Sequence, residues 1–271
     1  MKMINVSKSG YYRYLKEKDI RREKEEKDFS LIKELYIKKK GIFGYRRIAM
    51  ELRINHKKVH RLMKKYNLKS VIRKKKKANI LSNKLLKKNK APNHLNRQFR
   101  QETPYEFLST DITYINYDKG NKWAYLSVIK DIASGEILAF HLSKEMNLNL
   151  VFLTIKRLKK YFKDNNLDLN NTLIHSDQGF QYTHSNYKKT LNDLNIIQSM
   201  SRKGNSVDNA IIETFFGHLK DELNFKDINS FRELNRVINR YMIYFNHKRP
   251  QWHKKKMTPL EFREYLLKEK K

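Results

Sequence analysis

The chain has 271 residues, with 60 Lys and Arg against 28 Asp and Glu, and a net charge of +32 exceeds anything solubility requires, so the expected partner is a polyanion. With 39% hydrophobic residues and only eight Gly and four Pro, it has material for a folded core and is no disordered basic tail. The lack of Cys excludes a disulfide framework, a cysteine nucleophile and a zinc ribbon, and no apolar run approaches the roughly 18 residues of a membrane span.

Charge is unevenly placed. Residues 1–52 hold 15 basic and 8 acidic residues, residues 53–101 hold 18 basic and no acidic one, residues 102–225 hold 14 and 15, and residues 226–271 hold 13 and 5. A near-neutral centre between basic arms suits a protein that grips nucleic acid at its periphery and acts on it at its centre. The first residues, MKMINVSKSGYY, lack a signal peptide's apolar stretch, so a cytoplasmic protein is expected.

In chain order, residues 28–40 place Phe29, Ile32, Leu35 and Tyr36 at helical spacing, and after GIFG at 41–44 a second helix groups Ile48, Ala49 and Leu52. Asn55 is placed to cap a third helix. Its buried stripe is Val59, Leu62, Met63 and Tyr66, and His56, Lys57, Lys58, Arg61, Lys64 and Lys65 fill the outside. Three short helices with a basic last one fit a helix-turn-helix unit that inserts its third helix into the major groove, although any small helical bundle on a basic protein reads alike. Arg46, Arg47, Lys57, Lys58 and Arg61 are the candidate DNA contacts here. His56 and His60 lie four apart but lack an HExxH pattern or a third ligand, and suit capping and phosphate contact better than metal. The tract from residue 69 to 100, with Arg73, Lys74, Lys75, Lys76 and Lys77 in succession, is too charged for a core; it reads as a solvated helix or linker whose counter-charge is the phosphate backbone.

From residue 106 the pattern changes to strands. Residues 106–115 alternate, with Leu108, Ile112 and Tyr114 on one face and Ser109, Asp111 and Thr113 on the other. Residues 123–132 are almost continuously apolar, as a central strand requires, and 137–142 form a third strand within hairpin reach. Helix 148–162, strand 172–176, helix 185–194, strand 196–199 and helix 208–223 then alternate, which predicts later strands parallel to the first. The expected class is α/β: a ribonuclease-H-like mixed five-stranded sheet with flanking helices, preceded by a small helix-turn-helix-like domain. The expected divisions are 1–68 (helical), 69–101 (basic linker), 102–225 (ribonuclease-H-like core) and 226–271 (basic, helical). In the last, capping boxes start helices at Ser230–Glu233 and at Thr258–Glu261, with Pro259 at the first helical position. Between them lie Trp252, Lys254, Lys255 and Lys256, open to DNA or to a second protomer.

Three acidic residues stand out by position. Asp111 interrupts a strand, Asp177 follows the strand TLIHS, and Glu213 sits among Ile211, Ile212, Phe215, Phe216 and Leu219. Singly, each has a plain explanation: a solvated strand face, a turn cap before Gly179, an exposed helix acid. Together they can meet where a helix crosses two strands, and would repel one another unless divalent cations sat among them. Hard oxygen donors suit Mg²⁺ or Mn²⁺, with two ions expected for phosphoryl transfer.

The spacing adds a family. Between Asp177 and Glu213 lie 35 residues, and Lys220 follows Glu213 by two helical turns. Around them stand TDITYI at 110–115, HSDQGFQY at 175–182 and GNSVDNAIIETFFGHLKDE at 204–222; further out are VSKSGYYRYL at 6–15, GIFGYRRI at 41–48 and YFNHKRPQWHKKKMTPLEF at 244–262. Over nearly its whole length the chain resembles the Asp-Asp-Glu transposases and retroviral integrases, in particular the bacterial insertion-sequence group with two overlapping reading frames, and within it the downstream product, OrfB.

The resemblance implies an integrase catalytic core at 102–225, with Asp111, Asp177 and Glu213 as catalytic, metal-binding triad. It implies that Lys220 contacts terminal DNA near the scissile phosphate, a helix-end ion pair being the plain alternative. Asn209, one turn before Glu213, would orient that carboxylate or a phosphate, and His175, Ser176, Gln178 and Gly179 would shape the turn presenting Asp177. The implied reaction is Mg²⁺-dependent cleavage to a 3′-hydroxyl followed by strand transfer, first between the two ends of one element. Implied partners are double-stranded DNA (terminal inverted repeats and target), other copies of the chain, and the upstream-frame product OrfA or its fusion; the setting is the bacterial nucleoid, with no membrane. Two positions depart from the pattern: many relatives have Arg after the Ser at Ser134, where this chain has Gly135, and His after Arg249-Pro250, where it has Gln251. Outside the family, a non-catalytic basic DNA-binding protein and a ribonuclease-H-type nuclease without joining activity fit the charge or the fold.

Overall fold

The computed structural model describes residues 7–71, 91–95, 101–202 and 209–269, and the chain divides into two compact units, Met1–Lys75 and Lys76–Lys271. In the first, Ile32 and Leu35 of α1 (Lys8–Lys38) pack with Ile48 and Ala49 of α2 (Tyr45–Leu52) and with Val59, Leu62 and Met63 of α3 (His56–Lys65). The Asn55 side chain accepts the Lys57 N–H at 2.9 Å, the cap expected from its position. Apolar spacing predicts a helix only from residue 28, yet α1 begins at Lys8, where the Ser7 hydroxyl accepts the Gly10 N–H at 3.1 Å. Its first half buries no stripe. It is supported instead by i,i+4 pairs, Arg13–Glu17 (3.1 Å), Arg21–Glu17 (2.8 Å) and Arg22–Glu26 (3.1 Å). Tyr66, expected in the buried stripe of the third helix, instead stands at its C-cap, stacked on Phe29 of α1 with ring centroids 3.7 Å apart.

In the second unit, β1 (Phe107–Tyr117), β2 (Lys122–Asp131), β3 (Ile137–Ser143), β4 (Leu173–Ser176) and β5 (Ile197–Met200) form one five-stranded sheet in the order β3-β2-β1-β4-β5. The first three pair antiparallel, and β4 and β5 run parallel to β1. This is the mixed sheet that the alternation of strands and helices predicts. The helices are α4 (Leu148–Asp164), α5 (Phe180–Thr183), α6 (Ser185–Asn192), α7 (Ala210–Glu222), α8 (Phe231–His247) and α9 (Pro259–Glu269). α5, a single turn after Gly179, has no periodic signal of its own.

Both faces of the sheet are covered. On one, Leu108 and Ile129 pack with Val151, Ile155, Leu158 and Phe162 of α4 and Tyr187 and Leu191 of α6. On the other, Ile115, Tyr117, Ala124, Leu126 and Val128 pack with Ile212, Phe215, Phe216 and Leu219 of α7 and with Leu234, Ile238, Tyr241, Met242 and Phe245 of α8. The expected division of β1 into an apolar and a solvated face therefore fails at its centre, where Ser109 and Thr113 are buried while Tyr114 is exposed. The basic segment after residue 226 contributes α8 to the core, its charges lying on the side turned away from it. Capping boxes start both C-terminal helices: Ser230 Oγ accepts the Glu233 N–H at 3.2 Å, and Thr258 and Glu261 exchange bonds of 3.2 and 2.8 Å.

Buried charges tie the C-terminal segment to the sheet. Arg249 donates twice to Glu222 Oε1 at the end of α7 (2.9 and 2.8 Å), and Arg263 of α9 meets Glu136, between β2 and β3, at 2.8 Å. Lys254, read from sequence as available to DNA or a second protomer, is buried, and its ammonium donates to the Ala133 carbonyl at 2.7 Å. Among the described residues no helix is long and apolar enough to cross a membrane.

Candidate active site

The parallel pairing of β1 and β4 sets the level of the first two carboxylates. Ser109 is in register with His175, so Asp111 and Asp177, each two residues further on, reach the same level on neighbouring chain segments. β4 stops at Ser176 and β1 continues to Tyr117, which puts Asp177 in the turn leaving the sheet beside the middle of β1. That turn is built for it. The Gly179 N–H donates to Asp177 Oδ1 at 2.8 Å, and Gln178 Nε2 donates to the Ser201 carbonyl at 2.8 Å. A Cβ on Gly179 would lie 2.9 Å from Asp177 Oδ1. Beneath it, buried His175 hydrogen-bonds through Nδ1 to Ser199 of β5 at 2.9 Å, bracing β4 against the sheet edge.

Glu213 arrives from the helix layer. Asp111 shares a strand face with Ile115 and Tyr117, two residues apart along β1, and this is the face that α7 covers through Ile212, Phe215 and Phe216. Glu213 lies in the first turn of α7. Burial foremost, then the charge of Asp177, pushes the Asp111 carboxyl up to about 7; Glu213 adds in the same direction, and the Ile112 N–H bond and Lys220 oppose them. Asp177, Glu213 and Lys220 are therefore each within electrostatic reach of Asp111. Asp177 is raised by burial and held back by its bond from Gly179. Tyr182, fully buried, has its phenol raised by burial first and by Asp111 next, and lies against the Thr110 hydroxyl at 3.4 Å. It belongs to the quoted HSDQGFQY segment, yet only the fold shows it beneath the carboxylates.

Two carboxylates at one level, with a third within electrostatic reach of Asp111, offer hard oxygen donors, and in chemistry these fit a hard divalent cation. Among the described residues no three His or carboxylate side chains close on one point as they stand, so holding a cation requires side-chain movement. Asn209 is buried at the N-cap of α7, makes no side-chain cap bond, and leaves Oδ1 without a hydrogen-bond partner among the described residues.

The other candidate DNA residues are distributed between the units. Arg46 and Arg47 stand in the first turn of α2; Arg46 donates to Tyr45 Oη at 3.1 Å, and Arg47 lies 3.8 Å from the Phe43 ring centroid. Lys57 is exposed on α3, whereas Lys58 pairs with Asp28 and Arg61 with Glu25 (2.8 Å), both on α1. Arg73, Lys74, Lys75, Lys76 and Lys77 lie outside the described residues. Sequence reasoning missed Lys130, hidden in the apolar run of β2: it is buried, and its ammonium donates to the Ile211 carbonyl of α7 at 3.2 Å.

Comparison with known proteins identifies an integrase core and an HTH-like domain. The integrase core domain family matches residues 101–206, a second integrase core domain family matches 194–259, and an HTH-like domain family matches 23–76. The chain is 36% identical over 238 residues to the putative transposase InsK for insertion sequence element IS150 of Escherichia coli K12, covering 86% of this chain and 81% of that protein. It is 32% identical over 274 residues to the insertion element IS600 uncharacterized 31 kDa protein of Shigella sonnei, covering 97% and 96%. Among solved structures, the catalytic core domain of BIV integrase aligns with 61% of this chain and 98% of its own length, at 17% identity and a TM-score of 0.44. On the family and sequence matches the chain belongs to the insertion-sequence transposases with an integrase core domain, OrfB-like polynucleotidyl transferases of the Asp-Asp-Glu class.

Proposed function

We propose that the chain binds the terminal repeats of its own insertion sequence and catalyses divalent-metal-dependent 3′-end cleavage and strand transfer, with Asp111, Asp177 and Glu213 as the catalytic and metal-holding residues. The observation that carries this reading is the level placement of Asp111 and Asp177 by the β1–β4 register, with Glu213 near enough to raise the Asp111 carboxyl. Two Mg²⁺ or Mn²⁺ ions bound there would supply Lewis acidity at the attacking and leaving oxygens of the phosphodiester. The chain's own groups do the placing. Gly179 and Ile112 fix one oxygen each of Asp177 and Asp111 through N–H bonds, and α7, with Glu213 in its first turn, packs on the strand face that carries Asp111. Lys220, two turns beyond Glu213 and in the last turn of α7, offers its ammonium to a phosphate beside the reacting one, and Asn209, buried at the N-cap, stands one turn before Glu213.

In this reading water first opens the phosphodiester at an element end, and the freed 3′-hydroxyl then attacks a second phosphodiester in line, without a covalent enzyme intermediate. The functional divisions follow: residues 1–68 bind DNA, the basic stretch 69–101 follows the backbone, 102–225 carry the chemistry and 226–271 complete its support. Partners are duplex DNA, further copies of the chain and the OrfA product or fusion.

The test is strand transfer on labelled element ends with Mg²⁺, with and without the upstream-frame product. Asp177→Asn should abolish cleavage and joining, at least about a thousandfold, while gel retention of the same DNA stays near wild type. Lost retention with chemistry preserved would sink the assignment. Cleavage of an RNA–DNA hybrid without joining would mark a nuclease instead, and no chemistry under any of these conditions a binding protein.

A further inference from the structure

The cations of α3 fall into two stripes with different surroundings. Lys57, His60 and Lys64 share one side at i, i+3 and i+7; Lys58, Arg61 and Lys65 repeat that spacing one residue on, turned by about 100° toward α1. The second stripe is already occupied. Glu25 of α1 pairs with both Arg61 (2.8 Å) and Lys65, and Asp28, one turn further, pairs with Lys58. The stack of Phe29 on Tyr66 holds the two helices together at this place, and the Glu25 carboxyl sits below the usual carboxylate range because of Lys65 first and Arg61 next. The first stripe meets no acid in an ion pair among the described residues. On its flank the Tyr45 ring of α2 lies 4.6 Å from the His60 ring, with Arg46 donating to the Tyr45 hydroxyl.

Resting on the proposed DNA-end binding, we infer that duplex DNA is read by the Lys57–His60–Lys64 stripe with Tyr45 beside it, while Glu25 and Asp28 withhold the other three α3 cations from the phosphates. The occupant is the major groove of B-DNA, which admits one helix and offers acceptor edges to Lys and His donors. Sequestering three cations has a definite use. Every phosphate neutralised by a Lys or Arg strengthens binding to all sequences alike and steepens its salt dependence by about 0.9 in the logarithmic slope. A chain with +32 has a surplus of such binding. Built-in carboxylates remove three contacts that carry no sequence information, and leave α3 to discriminate through the stripe that faces bases.

Fluorescence anisotropy on the full chain tests this, using a duplex with the ends of its encoding element and a scrambled duplex of equal composition, titrated across salt. Lys57→Ala/His60→Ala should weaken end binding about tenfold and change scrambled binding little. Glu25→Gln should strengthen scrambled binding several-fold, steepen the salt slope by about 1 to 2 and shrink the discrimination between duplexes. Asp28→Asn, which releases one cation, should steepen it by about 1, and serves if the Glu25 variant melts below the assay temperature. The inference is overturned if the Lys57/His60 variant binds the end duplex as wild type does, if neither acid substitution changes the salt slope, or if Lys58→Ala weakens end binding as strongly as the stripe variant. Wild-type protein that fails to distinguish the two duplexes would overturn the end-binding reading itself, a result separable from these.

Discussion

Asp177 shows how little freedom a proposed site residue has once its neighbours are chosen. It leaves β4 at a strand end, and its Oδ1 is fixed by the Gly179 N–H at 2.8 Å in a space where a Cβ would come within 2.9 Å of that oxygen. The backbone at Gly179 is ordinary (φ −60), so the requirement is for empty space and not for unusual torsion. Gly179→Ala should therefore displace the carboxylate with little cost to the fold. We expect strand transfer to fall by roughly tenfold to a hundredfold, since positional errors of about 1 Å have that effect, with a melting temperature close to wild type; unchanged turnover in a single-turnover assay would show that the carboxylate is placed by other means. Asp177 itself was legible from its spacing to Glu213. The reason for Gly179 was not, because a glycine after a strand also marks any turn.

At the scale of the element, α7 is held at both ends by buried charge. Lys130 of β2 donates to the Ile211 carbonyl in its first turn, and Glu222 at its end is paired with Arg249. Burial first, then the charges of Lys254 and Arg249, pushes the Lys130 ammonium down to about 7, and burial pushes Lys254 to about 8. The sign follows from proton counting. Between the folded value and the ordinary 10.5 the unfolded chain binds more protons, so stability rises with pH across that window and the penalty is complete below it, by up to about 1.4 kcal/mol for each pH unit. Urea midpoints should climb from pH 7 to pH 9, and Lys130→Met should flatten the climb and be the more stable protein at pH 6.5. An equal slope in both proteins would remove Lys130 as the cause. Apolar periodicity found α2, α3 and α4 because each buries one stripe, and a capping box marked α8. It missed the first half of α1, where ion pairs replace burial, and it hid Lys130 and Asp131 inside a run that reads as a central strand.

For the whole molecule, dividing the chain by charge gave a neutral centre between basic arms, and this holds along the sequence but not in space. The segment after residue 226 belongs to the same compact unit as the sheet, with five α8 side chains in the core that also holds α7. A charge count does not say where a charge sits, and an amphipathic helix with a basic outer side is indistinguishable by count from a detached arm. Ending the chain at residue 227 would uncover Phe215, Phe216 and Leu219 and strip Glu222 of its buried partner. Such a protein should lack a cooperative thermal transition and collect in the insoluble fraction; a soluble fragment with a sharp melt would show that the sheet stands without α8.

The loop after β2 links these scales. Gly135 has φ +76, and a Cβ there would fall 2.7 Å from Lys254 Cε, so the lysine crosses the space that a side chain at 135 would fill. The two positions, far apart in the chain, meet in one space: an Arg at 135, as the resemblance leads one to expect, has to adopt the positive φ and push the end of the lysine aside. A recombinant gene that brings a long side chain to codon 135 while keeping the codon for Lys254 would therefore draw the lysine away from the Ala133 carbonyl, and with it one tie between the C-terminal segment and the sheet.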